Sequence, residues 1–409
     1  MKINSILIFL FLMYLFFVPI DLSRLFGEQF GIIQTLIKGS LTISIIILFF
    51  ITLKNDHTIK KYTNLPWHYS IFMLPWIYVS VAIISISWTN DFPQTIKSIL
   101  AIVSVIFLAE LVSKRIELNY LLLKSLLIID IIIILSLLSD IVGLSFARME
   151  FVDAIRYAGI TYGAHAIGRV AFLGFLFRLY FISKKQYNKK QLIIAIFMML
   201  AYIYSIHIAN SRQILLALIA ITPIWLLLLN SYLFTKYKKL NYILIFFFAI
   251  LVLLYGLNSY QGNVLDIFQR TGKEDIFTFT GRVFVWESAL KLIQEQPFIG
   301  YGYGAGGSVL YYFHGLTSEW STHSAHNIFI HQLLDLGILG LILLVSMLLY
   351  FLKQSLKIKN KIFISYLLFI IVVGFLERSL SGPPSLMYLY FILFFFYIKQ
   401  HKFHNKDIS

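Results

Sequence analysis

The stretch Asn119-Tyr-Leu-Leu-Leu-Lys-Ser-Leu-Leu-Ile-Ile-Asp130-Ile-Ile-Ile-Ile-Leu-Ser-Leu-Leu-Ser-Asp-Ile-Val-Gly-Leu144 decides how the rest of the chain is read. Its apolar length exceeds the ~20 residues an α-helix needs to cross a bilayer core. Runs of the same kind recur at 3–20, 31–53, 69–88, 95–112, 164–183, 191–208, 213–233, 241–258, 327–352, 362–376 and 386–399. About twelve spans leave little chain for a soluble domain, so residues 1–409 read as a single transmembrane domain of the all-α polytopic class. Composition agrees: 59% of residues are hydrophobic and 13% charged, against about 25% charged in soluble domains. With a mean hydropathy of +0.82, a soluble globular enzyme and a disordered scaffold are excluded. The run 3–20 follows a single Lys2 and has no small-residue cleavage site before Asp21, so it reads as a retained anchor. Cysteine is absent, which removes disulfides, thiolate catalysis and Cys-ligated zinc.

The net charge of +15 is explained by loops rather than by nucleic acid. With the N-terminus in the cytoplasm, the loops 54–68, 113–118, 184–190, 234–240 and 353–361 and both termini, with Lys399 at the end of the last run, collect 20 of the 34 Lys and Arg. Nine fall outside and five within spans. That asymmetry follows the positive-inside rule and predicts both termini in the cytoplasm. Residue type divides as well. Inside there are 19 Lys and Arg115; outside there are seven Arg (24, 148, 156, 212, 270, 282, 378) and only Lys273 and Lys291. Guanidinium grips phosphate bidentately and keeps its charge. One reading anchors these arginines to lipid headgroups, Arg24 among them, and to local acids; the other gathers three or more into one anion site.

The longest polar stretch, 259–326, is predicted as a large external loop between the ninth and tenth spans. Val283, Val285, Trp286, Ala289, Leu290 and Ile293 fall near a helical period, which predicts a helix on the membrane surface. The run Gly300-Tyr-Gly302-Tyr-Gly304-Ala-Gly306-Gly307 follows no strand and precedes no Lys-Ser/Thr, so it is neither a P-loop nor a dinucleotide fingerprint; it reads as a mobile loop. His326 lies at the start of the tenth span, where the helix dipole favours the neutral imidazole that can accept a proton. Asn327, His331 and Asp335 share one helix face, and His331 with Asp335 reads as a structural pair. His323, His326 and His331 do not have the His-Glu-x-x-His spacing of a zinc site, so no metal is expected.

These residues carry a resemblance. His326-Asn327, nine residues, Gly337, two residues and Gly340 is similar to the His-Asn-x9-Gly-x-x-Gly motif of the bacterial O-antigen ligase and O-antigen polymerase superfamily. Gly281-Arg282 with Trp286, Glu287, Pro297 and Gly300-x-Gly302 resembles that family's external loop, and Ser211-Arg212 resembles its Ser-Arg at the outer end of a span. The likeness covers roughly 145–345. It departs after Arg156-x-x-Gly159, where Thr161-Tyr162-Gly163-Ala164-His165 replaces an Asn-Pro-Asn-like run. The resemblance implies a metal-independent, inverting glycosyltransferase without a cofactor. It would move a glycan from undecaprenyl diphosphate to an acceptor hydroxyl at the outer face of the bacterial inner membrane. It further implies His326, Arg282 and Arg212 as catalytic and Arg156, Asn327 and Arg378 as substrate-binding. Repeat-unit polymerase, with a chain-length regulator as partner, is the first expectation and ligase to lipid A core the second. A transporter of the lipid-linked glycan is the rival class, but it would place its key charges at mid-membrane.

Overall fold

The computed structural model describes residues 3–55, 73–151, 154–184, 186–227, 282–317, 322–380 and 385–404. In chain order the helices are α1 (Ile3–Phe17), α2 (Leu22–Phe26), α3 (Gln29–Asn55), α4 (Leu74–Ile84), α5 (Phe92–Arg115) and α6 (Leu118–Ile141). A small antiparallel hairpin follows, β1 (Arg148–Phe151) and β2 (Ala154–Tyr157), with Met149 opposite Arg156. The chain continues through α7 (Ala164–Ser183), α8 (Lys189–Ile208), α9 (Arg212–Leu227), α10 (Arg282–Glu295) and α11 (Gly306–Thr317). It ends with α12 (Ile328–Ile358), α13 (Lys361–Gly374) and α14 (Leu386–His404).

The sequence punctuates these helices. Asp91 caps α5 through the Gln94 amide, with Pro93 in the first turn, and Asn188 and Gln191 form a reciprocal capping box on α8. Each cap satisfies amides that a helix start leaves unpartnered. Among the described residues, α3, α5, α6, α7, α8 and α12 are long and apolar enough to cross a membrane, and α1, α4, α9, α13 and α14 are shorter apolar helices. Eleven of the twelve expected spans thus fall, in their described residues, on apolar helices; 69–72, 228–233 and the whole span 241–258 lie outside the described residues, as do 259–281 and 318–321 of the expected external loop. The protein is an all-α polytopic membrane protein.

Burial divides the helices by role. On α14, Leu386 through Ile398 are all buried, packed among α5, α12 and α13, with Tyr390 edge-on to Phe11 of α1. A helix that is apolar all round belongs in such a centre. On α3 only 22% of the apolar window is covered, leaving Ile32, Leu36, Ile43 and Phe50 exposed. Such a face suits lipid, not water. Among the described residues a charged pair lies inside the bundle: Arg178 of α7 bonds Asp130 of α6, which also accepts from Tyr202 of α8.

Helix α12 is broken at Leu336 and Gly337, where φ of Gly337 is +60°. The break frees backbone groups that the chain 297–302 satisfies: Tyr301 N donates to Leu334 O (2.8 Å), Gly302 N to Asp335 O (2.9 Å) and Ile338 N to Pro297 O (2.9 Å). The glycine run is therefore not a mobile loop. Residues 300–306 are buried, and a side chain at Gly300 would come within 2.6 Å of the Leu334 carbonyl. Glycine is required here by positive φ and close backbone approach. The expected surface helix is α10, and its Val285, Ala289 and Leu292 are buried where it packs on α11 and α12.

Candidate functional site

Several chain segments meet at one end of the bundle: the starts of α7, α9, α10 and α12, and the connection after α13. Their common point is Glu377, three residues beyond α13 and 7% exposed. Its Oε1 lies 3.3 Å from His326 Nδ1, 3.4 Å from Gln213 Nε2, 3.9 Å from Arg282 Nη2 and 4.0 Å from His165 Nε2. Burial alone pushes this carboxyl up. The hydrogen bond from His326, then the electrostatic influence of His326, His165 and Arg169, outweigh it and hold Glu377 well below the usual carboxylate range.

Local structure explains how each group arrives. Arg282 and Trp286 are one turn apart on α10 and share a face. Trp286 Nε1 donates to Ala325 O (2.8 Å), fixing the chain just before His326. His326 itself has φ of +48°, a left-handed conformation that is costly for a non-glycine residue. It is held by Ser324 Oγ on its amide (3.1 Å), and Thr322 Oγ1 lies 3.5 Å from its Nε2. Because the ionised Glu377 can only accept, Nδ1 of His326 is the nitrogen that carries a proton toward it, and in the neutral ring Nε2 is then the one with the lone pair.

The other expected residues are placed as follows. Asn327 is the N-cap of α12: its Oδ1 accepts from Phe329 N (2.9 Å) and Ile330 N (3.1 Å), and its Nδ2 donates to Phe375 O (3.3 Å). It therefore ties the start of α12 to the end of α13. Arg378 Nη1 donates to His323 O (2.8 Å) and lies 3.5 Å from His331 Nε2. Arg212 opens α9 between Ser211 and Gln213, both of which reach His165. Arg156 lies in β2. Two further arginines expected outside are engaged locally: Arg148 pairs with Asp140 (2.7 Å), and Arg24 donates to the Gly159 carbonyl. His331 and Asp335 are fully buried, 4.0 Å apart, and Asp335 accepts from Gly306 N (3.1 Å). Glu377, Gln213, His165 and Arg169 are the members of the cluster that spacing and residue type did not single out. A buried carboxylate joined to a histidine with a guanidinium beside it can orient a base and bind an anion.

What the bundle and this cluster define is a membrane protein with a polar site at one end of its spans. Residues 194–345, from α8 past Gly340, match the family model described as O-Antigen ligase, so the resemblance carried by Ser211-Arg212, Arg282 and His326-Asn327 is shown over that stretch. A "ComP-specific O-oligosaccharyltransferase" of Acinetobacter baylyi is 32% identical over 145 residues, covering 34% of this chain and 25% of that one. A Rickettsia conorii protein named as a polysaccharide ligase is 32% identical over 109 residues, covering 24% of this chain and 26% of the other. The matched stretch spans about a quarter of the length of these relatives. His165 and Glu377 lie outside the family match.

Proposed function

We propose that the protein is a membrane glycosyltransferase that moves a glycan from a lipid-linked diphosphate donor of the undecaprenyl type to an acceptor hydroxyl. The observation that carries this reading is the convergence of His326 and Arg282 on the buried Glu377 carboxylate at one end of the bundle. The positive-inside pattern supports placing both termini in the cytoplasm and that end at the outer face, which in this reading is that of the bacterial inner membrane. In the reaction, His326 Nε2 takes the acceptor proton while the acceptor oxygen attacks the anomeric carbon from the side opposite the diphosphate. The carbon–oxygen bond to the diphosphate breaks, inverting the centre. Arg282 and Arg212 take up the charge on the departing lipid diphosphate in place of a metal. Glu377 keeps the His326 lone pair turned to the acceptor and stabilises the imidazolium that forms. Asn327 and Arg378 fix the segment that bears His326, and Arg156 extends the donor site along the hairpin.

Two acceptors fit this chemistry. A second lipid-linked repeat unit makes the protein a polymerase; a different acceptor makes it a ligase, which the names of the relatives favour. A product ladder from donor alone supports the polymerase, and transfer only on addition of a second acceptor supports the ligase.

The test is glycan transfer by the purified protein from an undecaprenyl diphosphate-linked glycan. General-base catalysis is worth about 100- to 10,000-fold, so His326→Ala falls by that order at matched folded protein, whereas chelator leaves the wild type active. An active His326→Ala, or loss of activity with chelator, contradicts the mechanism.

A further inference from the structure

The reaction just described gives no part to His165, although it opens α7 against the same carboxylate oxygen as His326. Its tautomer is decided by its neighbours. Gln213 Nε2 lies 3.4 Å from Glu377 Oε1 and 2.8 Å from His165 Nδ1. A carboxylate repels an amide oxygen, so the Gln213 group facing it is the NH2, which has one hydrogen for Glu377 and one for Nδ1. Ser211 Oγ lies 3.0 Å from the same Nδ1. Nδ1 therefore carries the lone pair, and the ring hydrogen sits on Nε2, 4.0 Å from Glu377 Oε1. That distance is too long for a hydrogen bond; hydrogen bonds at catalytic sites are often long before substrate binds and tighten in the complex.

We propose that His165 is a positioning residue for glycan transfer: with Gln213 it holds the Glu377 carboxylate where that group can keep the His326 proton on Nδ1. Ser211, Gln213 and His165 thus join α7 and the start of α9 to the residue that sets the base. This inference rests on the glycosyltransferase reading. It also gives His165 a role in the stretch where the chain departs from the family pattern.

The experiment measures transfer by full-length purified variants from the same lipid-linked donor. His165→Leu keeps bulk and removes the N–H; His165→Gln keeps an N–H of similar reach. We expect kcat of His165→Leu to fall about tenfold, the scale of one hydrogen bond to a charged group, with donor KM unchanged and with His165→Gln restoring most of the rate. On a Glu377→Gln background, His165→Leu should add no further loss, because the two act as one unit. A role in folding alone would lower the yield of folded protein without changing kcat. Should His165→Leu fail to fold, His165→Asn, too short to reach Oε1, carries the same expectation. Wild-type kcat in these variants, equal loss in His165→Gln, or multiplying losses in the double variant overturns the inference. A fully active His326→Ala would instead overturn the function on which it rests; a dead His326→Ala beside a fully active His165→Leu defeats the inference alone.

Discussion

Two carboxylates in this protein, the half-buried Asp130 and the buried Glu377, are surrounded by similar groups and are engaged differently. Asp130, inside the bundle, uses one oxygen for Arg178 and the other for Tyr202. Both oxygens are committed, and the network joins α6, α7 and α8. Glu377, at the end of the bundle, has four donors from different segments at 3.3 to 4.0 Å from a single oxygen. Those contacts are loose and outnumber what one oxygen can satisfy. Each Asp130 oxygen is matched to one donor, whereas Glu377 Oε1 is shared among several. What distinguishes the two is how completely each carboxylate oxygen is matched to its donors.

Breaking the comparison at Asp130 has the larger effect on stability. Asp130→Asn leaves Arg178 charged and buried, and removing one member of such a pair costs on the order of 3–5 kcal/mol. The expected outcome is a marked drop in thermal stability in detergent, with near-normal kcat for the protein that stays folded. Unchanged stability would show that Arg178 finds water or lipid phosphate.

Around Glu377 the effect falls on turnover. Arg282→Lys and Arg212→Lys keep the charge and lose the bidentate fork, so each lowers the transfer rate by about tenfold at unchanged thermal stability. Wild-type turnover in both would reduce these arginines to general electrostatics.

The smallest effect is on pH dependence. Because the folded-state pKa of Glu377 is depressed, its stabilising contribution is complete above the ordinary glutamate value of about 4.3. It fades only as the pH falls through and below that value. The difference in thermal stability between wild type and Glu377→Gln should be flat from about pH 5.5 to 8 and shrink in more acid buffer. A difference that vanishes near pH 7 would mean that the carboxyl is protonated in the folded protein.

The spans were legible because a bilayer accepts only helices that are apolar over a sufficient length, and α6 announces that in its residues. The break in α12 was not legible: Gly337 stands in an apolar run, and what bends the helix there is the distant chain 297–302. The glycine run misled for the opposite reason. Glycine in a sequence suggests freedom, but Gly300 and Gly302 are glycine because neighbouring atoms leave no room for a side chain. At the candidate site, His326 and Arg282 were legible from a motif with internal spacing. Glu377 was not, since it stands beside Arg378 as a local ion pair would, and its partners are 51 residues away at His326 and 164 away at Gln213. His165 sat in view at the start of a span, but only the carboxylate gives it meaning.

The account centres on Glu377 making His326 a base, and the single-turnover rate of glycan transfer by Glu377→Gln tests that most directly. With a neutral amide in place of the carboxylate, nothing fixes the proton on Nδ1 or stabilises the imidazolium. The rate from purified lipid-linked donor is then expected to fall by about 100-fold or more, at an amount of folded protein equal to wild type. Transfer at the wild-type rate would contradict the account.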